Sequence, residues 1–137
     1  MKSARIAVVV PVYNAREYLP LCLTSLAAQS FSGFCAILVD DGSTDGSAEI
    51  CDRWAARDDR FAVLHLPNGG PAAARAAGVQ AANCEYISFC DADDLLHPAF
   101  LETLLQAAEA TMLPIACCRF DTFRDAPALN ADPPREH

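Results

Sequence analysis

Three aspartates fall within four positions in EYISFCDADDLLHP, residues 85–98, directly after an apolar run. Like charges that close repel one another. Loop charges in water, or helix caps ahead of Pro98, account for part of the cluster, and Asp94 is assigned that role alone. A hard divalent cation held by one or two carboxylates and by substrate phosphate oxygens accounts better for Asp91 and Asp93. Such an ion relieves the repulsion and can serve as a Lewis acid on a leaving diphosphate. A calcium loop does not fit, because Leu95 and Leu96 stand where a fifth-position ligand and a sixth-position glycine belong.

A second acidic group stands in VDDGSTDGSAEICD. Counted from Asp41, residues Ser43, Asp45, Gly46 and Asp52 occupy positions three, five, six and twelve of an EF-hand loop. An EF-hand needs a helix before its loop, and AILVD reads as a strand, so calcium by this route is set aside. Asp45 or Ser47 is expected to cap the next helix. That leaves Asp40 and Asp41, which at the end of a strand can accept hydrogen bonds from a nucleoside's base or ribose. PVYNARE, after the first strand, holds no glycine and so lacks the dinucleotide fingerprint. Tyr13 offers either a face on which a base stacks or merely a half-buried ring at a turn. In NGGPAAARAAG the glycines let a backbone approach a ligand, and Arg75 supplies a cation for a diphosphate. The run lacks a P-loop ending, and a turn followed by an alanine helix describes it as well.

Five short apolar runs would position these groups: IAVVV at 6–10, AILV at 36–39, FAVLHL at 61–66, YISF at 86–89 and IACC at 115–118. Apolar side chains on both faces of a strand call for cover on both faces. Helical periods run through Leu19, Cys22, Leu23, Leu26 and Ala27, and through Phe100, Leu101, Leu104, Leu105 and Ala108. Ile50, Cys51 and Trp54, and the alanines at 71–82, give weaker patterns. Pro20 and Pro98 suit first turns of helices. The alternation predicts an α/β fold, a doubly wound, mostly parallel sheet with helices on both faces. Ligands of such sheets bind outside the carboxyl ends of the strands, where all four polar stretches fall.

The 137 residues suffice for one domain, and a net charge of −8 argues against a nucleic-acid partner. Seven cysteines without CxxC or metal spacing read as reduced, buried thiols of a cytoplasmic protein. MKSARIAVVVPVYN faintly resembles a signal peptide, but Pro11 cuts its apolar run short, and no stretch reaches the length of a membrane span. The aperiodic DAPALNADPPREH, residues 125–137, is expected to be a flexible tail behind a domain at 1–124. If strand 115–118 lies at an open edge, a homodimer or an aggregation-prone monomer is expected.

Together, VVVPVYNAREYLPLCLTSLAAQSF, ILVDDGSTDGSAEI, NGGPAAARAAG and YISFCDADDLLHPAFLE resemble the family-two glycosyltransferases, inverting sugar transferases with the GT-A nucleotide-diphospho-sugar fold. The resemblance implies that Pro11, Val12, Tyr13, Asp40 and Asp41 line the nucleobase and ribose pocket, Asp41 being the contact to the base. It makes Asp91 and Asp93 a DXD pair, Asp93 holding Mg2+ or Mn2+ on the diphosphate, with Arg75 near the phosphates. The family often has Arg-Asn where this chain has Arg75-Ala76. It implies a UDP-sugar or similar donor, a saccharide or lipid-linked acceptor, and work in cell-envelope assembly, in the cytoplasm or at the inner face of the membrane. The family's general base lies in a later segment. Asp121 and Asp125 are the nearest downstream acids, and neither fits, so the chain is expected to be the donor-binding half of a transferase. The competing expectation is a nucleotide-binding module with no transferase activity of its own.

Overall fold

The computed structural model describes residues 4–111. The expected strand at 115–118, the tail, Cys117, Cys118, Asp121 and Asp125 lie outside the described residues. The other four runs are strands, β1 (Ile6–Val12), β2 (Phe34–Asp41), β3 (Phe61–Leu66) and β4 (Tyr86–Phe89). They alternate with helices α1 (Leu19–Ala27), α2 (Ser47–Arg57), α3 (Pro71–Ala81) and α4 (Phe100–Thr111). All strand pairs are parallel, in the order β3-β2-β1-β4. No described helix is long and apolar enough to cross a membrane.

Residues 4–23 and Gly33–Asp94 form one compact unit, and Thr24–Ser32 with the described residues from Leu95 form another. In the first, β1 and β2 are central and almost wholly buried, as their β-branched runs require. Ala7, Val9, Ile37 and Val39 cluster with Ala74 of α3, and Leu64, Leu66 and Ala77 pack against them. Gly78 permits this closeness, because a Cβ there would overlap Val9. On α2, Trp54 meets Phe61 at 5.3 Å between ring centroids, and Phe61 meets Phe34 edge-on at 6.4 Å. Each fully buried Val or Leu contributes about 1.5–3 kcal/mol. β4 departs from the expectation of cover on both faces. It ends the sheet among the described residues, and Ile87 and Phe89 remain exposed.

The second unit is organised by a buried glutamine. Gln29 Nε2 donates to the carbonyls of Ser25 and His97, and its Oε1 accepts the Leu101 N–H at 3.0 Å. Ser25 Oγ accepts the Leu96 N–H, so these buried polar groups are satisfied by the chain itself. Pro98 lies in the turn leading into α4 rather than within it.

Candidate functional site

The polar stretches leave the carboxyl ends of β1, β2, β3 and β4, as the fold dictates. Side chains alternate across a strand, so Asp40 and Asp41 face opposite sides of the sheet. Asp41 turns towards the loop before α3. Its two carboxylate oxygens accept the Gly69 and Gly70 N–H groups at 2.8 and 3.1 Å, and Asn68 Nδ2 donates to its carbonyl. The glycine-rich run thus hangs on Asp41. Gly42, at φ +74°, turns the chain where a Cβ would lie 2.8 Å from Asn68 N.

Asp40 turns to the α2 side. Its Oδ1 accepts the Ser43 N–H at 3.0 Å, and its Oδ2 lies 2.9 Å from His65 Nδ1. The other ring nitrogen of His65 lies 2.8 Å from Asp52 Oδ1 on α2. Burial pushes the Asp40 carboxyl upward, but the hydrogen bonds with His65 and Ser43 outweigh it and leave the group below the usual carboxylate range. Asp40, and then Asp52, raise His65 above the usual histidine value.

The loops after β1 and β2 are stitched together. Asn14, Ala15 and Arg16 donate their N–H groups to Ser43 Oγ, Ser47 Oγ and Asp45 Oδ2, while Asn14 Oδ1 accepts the Thr44 N–H. Asn14 has φ +46°, a conformation asparagine tolerates better than most residues. Asp45 also accepts from the N–H and hydroxyl of Ser47, and the hydroxyl bond chiefly holds its carboxyl below the usual range. It therefore serves the first turn of α2, whose cap residue is Gly46. Tyr13, 53 % exposed, projects from this braced loop, whereas Val12, expected to line the pocket, is fully buried and presents no surface to a ligand. Pro11 is half-buried.

After β4, Asp91, Asp93 and Asp94 are exposed, and each offers a carboxylate oxygen within 4.8 Å of those of the other two. Desolvation, then the charges of Asp91 and Asp93, raise the Asp94 carboxyl. Arg75 of α3 reaches Asp91 Oδ1 at 3.2 Å, joining the third polar stretch to the fourth. Clustered hard oxygen donors of this kind suit Mg2+ or Mn2+. The backbone beneath is fixed by a thiol pair: Cys22 and Cys90 Sγ lie 3.7 Å apart, and each is 3.5 Å from the Asp91 carbonyl. The described cysteines are free, and burial raises Cys51 to about 12.

Sequence reasoning singled out Asp40, Asp41, Tyr13, Arg75, Asp91 and Asp93, but missed His65 and the bracing roles of Asn14 and Ser43. No local spacing marks His65, whose partners lie on β2 and α2.

Residues 7–135 match the profile described as Glycosyl transferase family 2. The chain belongs to this family. Glycosyltransferase GlyG of Streptococcus pneumoniae is 44 % identical over 108 residues, which cover 78 % of this chain and 36 % of GlyG. TarS of S. aureus superposes with a TM-score of 0.72 at 29 % identity, over 79 % of this chain and 20 % of TarS. Residues 1–349 of TarS, crystallised with UDP-GlcNAc, superpose with a TM-score of 0.67 at 35 % identity over 77 % of this chain and 30 % of that one. The mannosyltransferase PcManGT of Pyrobaculum calidifontis, in complex with GDP-Man and Mn2+, gives 0.66 at 26 % identity, over 77 % of this chain and 32 % of its own. The fold of this family 2 chain is accordingly GT-A, and the chain spans about a third of the length of GlyG and of EpsJ of Bacillus subtilis.

Proposed function

We propose that this chain binds a nucleotide-diphospho-sugar, a UDP-sugar first among them, as the donor-binding part of an inverting glycosyltransferase. The observation that carries the reading is the cluster of Asp91, Asp93 and Asp94 with Arg75 against Asp91, at the carboxyl ends of a parallel sheet. The UDP-GlcNAc complex of TarS and the GDP-Man and Mn2+ complex of PcManGT support it.

Asp91 and Asp93 would hold Mg2+ or Mn2+, which when bound neutralises a diphosphate and stabilises charge developing on the leaving nucleoside diphosphate. Arg75 contributes a cation at the same end, its second role being to orient Asp91. Tyr13 presents its ring to the base. Asp41, with both oxygens occupied by loop amides, shapes the pocket and retains lone pairs for a base N–H. The acceptor is a saccharide or lipid-linked hydroxyl in cell-envelope assembly, at the cytoplasmic face of the membrane. Self-association through an open sheet edge belongs to the same reading, and a single monomeric species by light scattering at high concentration would count against it.

The test is calorimetric titration of UDP with Mn2+ and with chelator, on the wild type and Asp93→Ala. Binding is expected to need the metal and to weaken at least about 10–100-fold in the variant, the loss that outer-shell changes alone produce at metal sites. Binding unchanged by chelator would remove the metal from the reading. No binding in any condition would leave a family 2 domain without a working donor site.

A further inference from the structure

The bridge from Asp40 through His65 to Asp52 is not absorbed by the metal-and-diphosphate reading. Strand register sets His65 opposite Asp40, and α2 brings Asp52 to the far side of the ring. Both contacts are short, 2.9 Å at Nδ1 and 2.8 Å at Nε2. An ionised carboxylate only accepts hydrogen bonds, so both ring nitrogens must carry a proton, and only the imidazolium has two. A neutral ring would turn a lone pair towards one of the two carboxylates.

We propose that His65 is a positioning residue of the donor pocket, held as an imidazolium between Asp40 and Asp52, whose proton governs the affinity for the nucleoside diphosphate. The proposal rests on the donor-binding reading above and adds its regulation. Asp40 passes the constraint on: its Oδ1 holds the Ser43 N–H, Ser43 Oγ accepts the Asn14 N–H, and Asn14 Oδ1 holds the Thr44 N–H. That path ends beside Tyr13, while the neighbouring Asp41 holds the Gly69–Gly70 turn.

The ring is 46 % exposed, so its proton exchanges with solvent. The charged groups facing it are Asp40 from β2 and Asp52 from α2, and its neighbours on β3, Leu64 and Leu66, carry no charge. The nearby Cys51 thiol, pushed up to about 12, is neutral throughout the relevant range. A raised histidine keeps its contribution fully below the ordinary value of about 6.5 and loses it as pH rises through the folded value. Deprotonation removes one donor, sets a lone pair against a carboxylate, and loosens Asp40 and the loops it holds.

The experiment begins with 15N-edited NMR of the imidazole rings in the full chain, His65 being assigned by its loss in His65→Gln. Both nitrogens are expected to be protonated at neutral pH, and a neutral ring there overturns the proposal whatever the nucleotide does. UDP affinity with Mn2+ is then followed from about pH 6 to 9. The wild type should weaken by about tenfold across His65's titration, a typical coupling between sites. His65→Gln should be weaker at low pH and flatter, and Asp52→Asn, altered on an exposed side chain, should move the midpoint to lower pH. Parallel profiles for all three proteins would overturn the proposal while leaving the donor site standing. Should UDP bind to none of them, the donor-binding reading fails. The positioning is then read from exchange of the Ser43 and Thr44 amides, which should quicken beyond the intrinsic base-catalysed rise as His65 deprotonates, and unchanged protection would overturn it.

Discussion

Asp91 and Arg75 illustrate how much a single side chain's meaning depends on its partner. As an isolated loop acid, Asp91 would contribute little, since exposed ion pairs are worth about 0–1 kcal/mol. Set beside Arg75 and next to Asp93, it becomes part of the site proposed above for a cation and a diphosphate. Arg75→Ala should therefore leave the melting temperature nearly unchanged and weaken UDP by about 3–10-fold, with uridine affinity unaffected. Calorimetry with the two ligands measures this, and equal losses for both would place Arg75 away from the phosphates. Asp41 should behave in the opposite manner. Replacing it by Ala strips the Gly69 and Gly70 amides of their acceptor, which costs about 1–3 kcal/mol, measurable by urea denaturation. A variant as stable as the wild type would mean that water replaces the carboxylate without penalty.

At the scale of elements, the small residues of α3 matter more than its weak amphipathic pattern. Ala74 and Gly78 are its buried positions and lie over β1 and β2, so the helix sits close to the sheet that presents Asp40 and Asp41. Gly78→Ala is expected to destabilise the protein by about 1–3 kcal/mol through overpacking on Val9, whereas Ala76→Ser, on the exposed side of the same helix, should stay within about 0.5 kcal/mol. Equal urea midpoints for the two would show that α3 shifts freely over the strands. The alanine run was legible as a helix, but which alanine faced the sheet was not, because nearly every position is small and apolar. The strands were legible because β-branched runs bounded by turn residues leave few alternatives. That Ile87 and Phe89 of β4 stand exposed among the described residues was not legible, since an apolar run looks the same in the middle of a sheet and at its end.

For the whole molecule, charge and pH set the range of stability. Asp40, Asp45 and Asp58 lie below the usual carboxylate range, through hydrogen bonds that in Asp40 must first overcome burial and in Asp58 come from Arg60. Such groups stabilise the fold above about pH 4 and lose that contribution as pH falls through their folded values. Asp94, raised, works against them. His65, also raised, stabilises below about pH 6.5 and loses its share as pH rises through its folded value. Denaturation midpoints should accordingly peak in the mildly acidic range and fall on both sides. A midpoint that climbs steadily to about pH 9 would contradict the assignment of His65.

The sequence by itself determined the order of strands and helices, the GT-A family and the acidic and basic residues at the strand ends, because these are written in local periods and short motifs. The tertiary structure alone decided who meets whom. Asp40 finds His65 across 25 residues, Asp41 finds Gly69 across 28, and Asp91 finds Arg75 across 16. Those pairings depend on parallel register and on how closely α3 approaches the sheet. Neither is encoded in a residue's type or its sequence neighbours, so a histidine that reads as one more strand residue becomes the link between two carboxylates.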